Sequence, residues 1–407
     1  MELKNVVFNF PCTVTGGGQY LFIRYSKALA KYHPELNVYF IDYRDGFAHQ
    51  EIGNDPYIKF IDYEDGIKTV IPENSIVVYT LNHLYHHLDY MIYNQNNTTF
   101  LFWCIAFHDL SIRKYFVSNS TKRNIGDLYI ELTRNHVVKH LGPLAHNKIA
   151  LSFCVKPIET NYIPLVIPFE KYGNKQVHSL GTPIRFCWLG RLDFDKYNDI
   201  VTYMNELEFL SKEYLLTFSL IGIGSAEKKI KDLTLKYSFP CSFVGEKRNE
   251  DLDVFIRDHT DIGLASGTSS LEFAMRGRQV IQVWSLDRVY QHNECKCFHY
   301  VEEKMDAEKS HPKRCVIQNE STFSDKFIEI INHYEESCGK AYDYAKKHSP
   351  EATSDIMYQT LVNICHLDIP ATNNKIGELA DLLSDAKKEP NLIKWARTFI
   401  RKIKNLI

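Results

Sequence analysis

The sequence predicts an α/β protein built from two doubly wound parallel-sheet domains. Short apolar runs alternate with helical periodicity along most of the chain, and this alternation stops and restarts once. A chain of 407 residues is longer than a domain with a single hydrophobic core usually is. The stretch at 170–182 is polar and contains glycine, as is typical of a linker between domains. We therefore expect an N-terminal domain at 1–170, a second domain at 183–345, closing helices at 346–370 and a tail at 371–407.

The composition is typical of a globular protein in a reducing compartment. Hydrophobic residues make up 44% of the chain and charged residues 24%, and a net charge of −2 gives no electrostatic support for nucleic-acid binding. The 10 cysteines are scattered without the spacing of a disulfide framework. The N-terminus lacks the pattern of a signal peptide, and no apolar run reaches the length of a membrane span. We therefore expect a cytoplasmic protein without a transmembrane segment.

The first domain opens with a glycine-rich loop between a strand and a helix. Apolar runs predict strands at 6–10 and 37–41, and helical spacing of apolar residues begins directly after the loop. Gly16, Gly17 and Gly18 form the loop, at the edge of the sheet where α/β proteins bind ligands. The loop lacks the G-x-G-x-x-G pattern and a P-loop lysine, so neither a dinucleotide nor ATP is indicated. A flexible turn is the alternative interpretation.

A histidine and an aspartate end the most apolar strand of the first domain. The strand predicted at 98–107 runs directly into His108 and Asp109. Functional groups gather at the carboxyl ends of buried strands, where a histidine can bind a sugar hydroxyl or carry a proton. The alternative is an imidazole whose hydrogen bonds are satisfied by the backbone. A later strand of this domain is predicted at 150–155.

The second domain repeats the alternation and carries two cations on its first loop. Apolar runs predict strands at 184–189, 218–221, 242–245, 262–265 and 280–283. Arg191 and Lys196 follow the first of these strands, and Gly222 and Gly224 follow the second. Because the loops after parallel strands share one edge of a sheet, we expect these residues to surround one ligand.

The stretch at 261–283 is typical of a strand, a small-residue turn, a helix and another strand. Its candidate binding residues are Gly267, Thr268, Ser269, Ser270 and Glu272. The three hydroxyls are predicted to cap the helix, and the unpaired N–H groups of a helix N-terminus attract phosphate. The glutamate lies one turn inside, where it could accept hydrogen bonds from ribose. An ordinary capped helix is the alternative; beside the two cations, the stretch predicts a diphosphate site.

Two histidine-containing segments invite a metal interpretation. His83 and His87 are four residues apart, but the glutamate of H-E-x-x-H is missing. The segment H-N-E-C-K-C-F-H at 292–299 lacks paired C-x-x-C spacing. We therefore predict no bound metal.

The C-terminal segment has the pattern of a helix that lies on a membrane. From Leu392 onward, apolar residues that include Trp395 fill one helical face, and five cations without a side-chain anion fill the other. A helix at 390–407 would therefore suit an anionic membrane surface. Docking on the protein itself is the alternative, but it explains the apolar face and not the uniformly basic one.

Taken together, the motifs resemble those of a known enzyme family. In chain order they are G-G-G-Q-Y-L-F-I-R-Y-S-K-A-L-A from Gly16, F-H-D-L at 107–110, G-R-L-D-F-D-K-Y at 190–197, L-I-G-I-G-S-A-E at 220–227 and S-S-L-E-F-A-M-R-G-R-Q-V-I at 269–281. Their order and spacing resemble family 4-like glycosyltransferases (glycosyl transferases group 1), the bacterial enzymes that build surface polysaccharide. The resemblance covers roughly residues 6–365. It implies the GT-B fold, in which two Rossmann-like domains face a cleft.

The resemblance also implies roles for single residues. Arg191 and Lys196 would hold the diphosphate of a nucleotide-sugar donor, and Glu272 would take the ribose. The glycines at 222 and 224 would meet the nucleobase region, and His108 would face the acceptor or the donor sugar. The family pattern E-x7-E places its first glutamate at Leu264, so the sequence leaves open whether the reaction retains or inverts the anomeric configuration.

The function implied is sugar transfer from a nucleoside diphosphate donor, with UDP or GDP as the nucleotide, to a hydroxyl of a glycan or lipid-linked acceptor. No metal or other cofactor is expected, because cations and a helix dipole can stabilise the leaving diphosphate. The tail would place the enzyme on the inner face of the plasma membrane. Two alternatives stay open: a sugar-nucleotide epimerase of the same architecture, and a catalytically impaired protein that binds nucleotide sugars.

Overall fold

The protein is described from a computed structural model, in two compact units. The described residues are 2–13, 16–85, 91–92, 97–105, 118–173, 179–283, 286–303 and 321–387. Unit 1 takes the chain up to Pro164 and again from Ser354, and unit 2 is Leu165–Thr353. The stretch predicted as a linker, 170–182, thus lies in unit 2, and the C-terminal helices lie in unit 1.

Unit 1 is built on a parallel sheet. Its strands are β1 (Asn5–Asn9), β2 (Asn37–Asp42), β3 (Ile58–Asp62), β4 (Thr69–Val70), β5 (Ser75–Thr80), β6 (Met91–Ile92), β7 (Thr99–Cys104) and β8 (Val138–His140). Its first helices are α1 (Gly17–Tyr32), α2 (Phe47–Ile52), α3 (Asn119–Arg134) and α4 (Pro143–Ser152), and a 3₁₀ helix spans Leu81–Tyr85. The strand order is β3-β2-β1-β5-β7-β8, while β4 and β6 pair separately. All residues of β5 and β7 are buried, as expected of a parallel sheet covered on both faces.

The strand predicted at 150–155 is wrong. These residues belong to the end of α4 and the turn that follows it. Gly142 is the N-cap of this helix and Pro143 occupies its first turn, where a proline is favoured because no N–H is needed there. Ile149 and Ala150 are buried from the helix rather than from a strand. A short apolar run fits a buried helix as well as a strand, so periodicity alone could not decide.

Unit 2 contains a second doubly wound sheet. Its elements are α5 (Phe169–Tyr172), β9 (Ile184–Leu189), α6 (Phe194–Leu210), β10 (Leu216–Ile221), α7 (Glu227–Thr234), β11 (Cys241–Gly245), α8 (Asn249–His259), β12 (Ile262–Ala265), α9 (Thr268–Ala274), β13 (Gln279–Gln282), β14 (His299–Tyr300), α10 (Phe323–Asn332) and α11 (Tyr334–Lys346). The strand order is β11-β10-β9-β12-β13-β14. The strands pair in parallel except β14, which runs antiparallel to β13. The sheet is thus parallel, as predicted, with one short antiparallel strand, β14, added at the β13 edge.

The last two described helices complete unit 1. They are α12 (Pro350–Cys365) and α13 (Ile369–Lys387), and the boundary between the units falls inside α12. Ile376, Leu379 and Leu383 of α13 are buried in the core of unit 1. The side chain of Asn373 donates a hydrogen bond to Thr98 O (2.8 Å). Every helix within the described residues is too short or too polar to span a membrane.

Candidate functional site

The strand order of each sheet defines where a ligand crevice can form. In unit 2 the chain proceeds from β9 through β10 to β11 on one side, and then from β12 through β13 to β14 on the other. The loops after the adjacent strands β9 and β12 therefore lead away from each other, and such a switch point opens a crevice at the carboxyl edge. These are the loops at 190–193 and 266–267, which hold part of the predicted diphosphate site.

The guanidinium of Arg191 is held by carboxylates of its own loop. Its Nη1 lies 2.7 Å from Asp193 Oδ2 and its Nη2 lies 3.1 Å from Asp195 Oδ2, while 62% of the side chain is exposed. Asp193 also accepts a hydrogen bond from the backbone N–H of Ser225 (2.8 Å), which is the main reason that its pKa is lowered. Arg191 is thus oriented and accessible, and its charge is balanced locally.

Lys196 lies over a buried carboxyl group. Its Nζ is 3.8 Å from Asp199 Oδ2, with 21% of the lysine side chain exposed and 1% of the aspartate. Asp199 Oδ1 accepts a hydrogen bond from the backbone N–H of Leu286 (2.7 Å), and Oδ2 has no hydrogen-bond partner within the described part of the chain. Burial raises the pKa of Asp199 to about 6. Asp199, which the sequence analysis did not identify, therefore positions the lysine.

Gly222 and Gly224 allow two loops to pack backbone against backbone. A Cβ atom on Gly222 would overlap Gly190 O, and one on Gly224 would overlap the Leu192–Asp193 peptide. Gly222 also has a φ of 136°, which residues other than glycine rarely adopt. Contact with the neighbouring loop is therefore sufficient to explain both glycines, and their predicted role toward a nucleobase stays a prediction.

The small-residue turn differs from its prediction in how the helix begins. Gly267, with a φ of 65°, is the N-cap of α9, so Thr268, Ser269 and Ser270 are the first residues of the helix and not its caps. The hydroxyl capping predicted for these residues is therefore wrong, because the backbone turns at the glycine. Ser270 is buried and donates a hydrogen bond to Gln282 Oε1 (2.9 Å). Thr268 and Ser269 are half-buried at the crevice.

Glu272 forms an ion pair with an arginine one turn later. Arg276 Nη1 lies 2.9 Å from Glu272 Oε2, and Arg276 Nε lies 2.9 Å from Asp253 Oδ1. Both Glu272 and Arg276 are buried, and the guanidinium packs over the ring of Tyr172. The carboxylate is thus fixed in one orientation by a residue that the sequence motif did not indicate.

The glycine loop of unit 1 lies at the corresponding place in its own sheet. The switch point there lies between β1 and β5, and the segment with Gly16 follows β1. Gly16 is the extended N-cap of α1, and Gly17 and Gly18 are its first residues. Nearby, buried Asp42 accepts hydrogen bonds from the backbone N–H groups of Cys12 and Ala48 (2.8 Å each), which fixes the loop after β1 on α2.

Some predicted features lie outside the described residues. They are His108, Asp109, His87 and the basic helix at 390–407. Within the described ranges, no group of three or more histidine, cysteine, aspartate and glutamate side chains is placed to hold a metal ion.

Comparison with solved structures identifies the fold. No protein-family profile and no curated protein sequence matches the chain. Among solved structures, Anabaena HepE in complex with UDP and glucose superposes with a TM-score of 0.53 at 10% identity, over 88% of this chain and 99% of that one. A glycosyltransferase from Rickettsia africae ESF-5 superposes with a TM-score of 0.51 at 12% identity, over 96% of this chain and 100% of that one. TarM superposes with a TM-score of 0.52 at 10% identity, over 90% of this chain and 99% of that one.

These similarities confirm the predicted fold. The chain has the two parallel-sheet α/β domains of GT-B glycosyltransferases. At such low sequence identities the comparison extends to the fold and not to substrates.

Proposed function

We propose that this protein is a glycosyltransferase that moves a sugar from a nucleoside diphosphate donor to a hydroxyl group. The observation that carries the proposal is the pairing of β9 with β12 at the switch point of the sheet, because the turn at Gly267 follows β12 while Arg191 and the first turn of α6, with Lys196, follow β9. Two cations beside the half-buried hydroxyl groups of Thr268 and Ser269 suit a diphosphate. The GT-B fold supports the same assignment, as does the presence of UDP and glucose in the HepE structure.

In this mechanism the protein stabilises the departing nucleoside diphosphate. Negative charge develops on the diphosphate as the glycosidic bond breaks, and Arg191 and Lys196 balance it without a metal ion. Thr268 and Ser269 donate hydrogen bonds to its oxygens. Glu272, held by its ion pair, accepts from the ribose hydroxyls. Arg191 exchanges a carboxylate partner for a phosphate oxygen, which its exposure permits.

The proposed acceptor is a glycan or a lipid-linked sugar in the synthesis of cell-surface polysaccharide. The glycine loop at 16–18 would border the acceptor, with His108 and Asp109 beside it. The orientation of α13 supports a membrane-bound acceptor: it begins at the amino end of β7, near Thr98, and packs along the sheet to the 3₁₀ helix at the carboxyl end of β5. Helix α13 therefore ends at the edge of unit 1 that carries the glycine loop.

We further propose that residues 390–407 hold the enzyme on the cytoplasmic leaflet. Their basic and apolar faces suit an anionic bilayer surface. Flotation with anionic liposomes tests this proposal, by comparing the full chain with a chain that ends at Lys387. The full chain should float with the vesicles and the shortened one should not. Equal flotation of the two proteins would exclude the tail as the anchor.

Ligand binding tests the donor site. A thermal-shift screen against UDP, GDP and CMP should show stabilisation by one of the diphosphates. Lys196→Ala should weaken that binding at least about tenfold, since it removes a charged donor from the diphosphate. Lys212→Ala is the matched control, because Lys212 follows the opposite end of α6 and is exposed. Stabilisation by none of the nucleotides, or equal losses in the two variants, would contradict the proposal.

One observation favours a second candidate, a protein that binds nucleotide sugars without transferring them. Leu264, at the position where the family pattern has its first glutamate, is buried within β12. No acidic side chain can therefore act from that position. Incubation with the donor in the absence of acceptor distinguishes the two candidates. Slow hydrolysis of the donor supports the transferase, whereas tight binding without any turnover supports the second candidate.

A further inference from the structure

The segment between β13 and β14 contains two cysteines that the proposed function does not use. Residues 286–297, here called the strap, run along α6 and are held on it by hydrogen bonds. Asn205 Nδ2 donates to Tyr290 O (2.8 Å), and the backbone N–H of Tyr290 donates to Thr202 Oγ1 (3.0 Å). The strap is thus a fixed part of unit 2.

A half-buried histidine paired with a buried carboxylate fixes the strap just before the cysteines. His292 Nδ1 lies 2.6 Å from Glu206 Oε2, and the backbone N–H of Asn293 donates to Glu206 Oε1 (3.1 Å). The imidazole stacks on Phe209, with ring centroids 3.5 Å apart. These contacts determine the direction in which the chain enters the C-x-C segment.

The two thiols are in direct contact. Cys295 Sγ lies 3.1 Å from Cys297 Sγ, within hydrogen-bonding distance. A disulfide needs about 2.05 Å, so the sulfur atoms have to approach by only about 1 Å. The segment is held on both sides, because the backbone N–H of Phe298 donates to Ser321 O (3.3 Å).

The two cysteines differ in accessibility. Cys295 is 2% exposed, whereas Cys297 is half-buried and reaches the surface. The hydrogen bond from Cys297 lowers the pKa of the Cys295 thiol, although burial and, to a smaller extent, the nearby carboxylates of Glu206 and Asp199 act in the opposite direction. An external reagent therefore meets Cys297 first, and Cys295 is placed behind it as the second thiol.

We propose that Cys295 and Cys297 form a redox-active dithiol that a disulfide-bearing oxidant converts to an intramolecular disulfide. Cys297 attacks one sulfur of the oxidant and releases the first thiol, leaving a mixed disulfide. Cys295 then attacks Cys297 Sγ and releases the second thiol. Two S–H bonds are lost and one S–S bond forms in the protein, while the S–S bond of the oxidant is reduced to two thiols.

Glutathione redox buffers test the proposal on the full-length protein. After equilibration the remaining thiols are alkylated, and the protein is digested with a protease that spares Lys296 and analysed by mass spectrometry. We expect one peptide that contains both cysteines, unalkylated and lighter by two hydrogens, and its conversion back by reduced glutathione. Alkylation of both cysteines at every ratio would overturn the proposal.

Variants test the order of attack. In Cys295→Ser, glutathione should accumulate on Cys297 at least about tenfold over the wild type, because the second thiol is missing. In Cys297→Ser, Cys295 should stay reduced. Cys154→Ser removes an exposed cysteine elsewhere and should behave as the wild type. A stable glutathione adduct on Cys297 in the wild type would show that the dithiol does not close.

Phenylarsine oxide provides a measurement that needs no variant. It bridges two adjacent thiols, so one equivalent should protect both cysteines of the peptide from alkylation. Protection of neither cysteine would contradict the proposed pairing.

Discussion

At the scale of single residues, the cationic loop of unit 2 carries balanced charge. Arg191 is paired with Asp193 and Asp195, and Lys196 is paired with Asp199. Exposed ion pairs contribute little to stability, so this arrangement acts mainly on the electrostatics of the crevice. A diphosphate must compete with the aspartates for Arg191.

Removing one of these carboxylates should therefore strengthen ligand binding. Asp195→Asn removes a partner 3.1 Å from Arg191 and should raise the affinity for the nucleoside diphosphate about threefold, the effect of one charge several ångströms away in water. Titration calorimetry at low salt measures this change. Glu213→Gln, an exposed carboxylate beyond the other end of α6, is the control and should leave the affinity unchanged. Weaker binding by the Asn variant would show that Asp195 helps to orient the arginine instead.

Two buried histidines of unit 1 share one tyrosine hydroxyl. Tyr129 Oη lies 2.8 Å from His140 Nε2 and 2.8 Å from His146 Nδ1. The backbone N–H of Ile158 donates to His146 Nε2 (3.1 Å), so a neutral His146 carries its proton on Nδ1 and donates to the tyrosine. The tyrosine in turn donates to His140. The hydrogen bonds that the tyrosine hydroxyl makes with the two rings require both imidazoles to be neutral.

This network predicts a pH dependence of stability. Burial lowers the pKa of His146 to about 4, so between the unfolded value near 6.5 and pH 4 the unfolded chain binds the extra proton. The stabilisation is present above pH 6.5 and is lost as the pH falls. Relative to His146→Gln, the wild type should lose about 2 kcal/mol of unfolding free energy between pH 7 and pH 5. Denaturant titrations at each pH measure these free energies. An equal change in unfolding free energy between pH 7 and pH 5 for the two proteins would contradict this expectation.

At the scale of elements, the loops after β9 and β10 are joined by backbone hydrogen bonds in addition to the contact between Asp193 and Ser225. The N–H of Leu192 donates to Ile223 O (2.9 Å), and the N–H of Ala226 donates to Leu192 O (2.8 Å). Glycine at 222 and 224 makes this approach possible. The position of Arg191 thus depends on the neighbouring loop.

Two glycine substitutions test this dependence. Gly222→Ala should destabilise unit 2 by about 2–4 kcal/mol, because the new Cβ overlaps Gly190 O and the backbone has a positive φ. Gly339→Ala in α11 meets no atom within 4 Å and should stabilise the protein by about 0.5–1 kcal/mol through helix propensity. Urea denaturation measures both. A Gly222→Ala protein as stable as the wild type would show that the loops can separate.

At the scale of the whole molecule, unit 1 is completed by chain from the far C-terminus. Helix α13 buries Ile376, Leu379 and Leu383 against elements of the first 155 residues, and Lys375 forms an ion pair with Glu131 of α3. Each of these apolar side chains contributes about 1.5–3 kcal/mol by burial, which together is comparable with the net stability of a domain.

Truncations at two positions should therefore differ sharply. A chain that ends at Asp368 lacks α13 and should lose the cooperative unfolding transition of unit 1, whereas a chain that ends at Lys387 should retain it. Scanning calorimetry combined with limited proteolysis of β7 and α3 distinguishes the two outcomes. A folded unit 1 in the shorter chain would mean that α13 is dispensable for the core.

Much of the fold was accessible to the sequence because buried strands leave a local signal. The strands at Ile184–Leu189 and Ile262–Ala265 agree with their predictions residue for residue. The strand predicted from the apolar run at 150–155 was wrong, since local composition does not distinguish a buried helix from a strand. Helix α13 was not predicted, because its apolar positions become meaningful only once the sheet that they cover is known.

The sequence by itself determined the α/β class and most of the order of strands and helices, and its motifs predicted the GT-B fold that the structural comparison confirms. These properties follow from short-range periodicity and from turn residues, which any window of the chain contains. Only the tertiary structure decided the partners of the charged groups: Asp199 beneath Lys196, Arg276 beside Glu272, and the contact between Cys295 and Cys297. Burial, not residue type, sets the electrostatics of such groups, and burial is known only when segments distant in the chain have packed together.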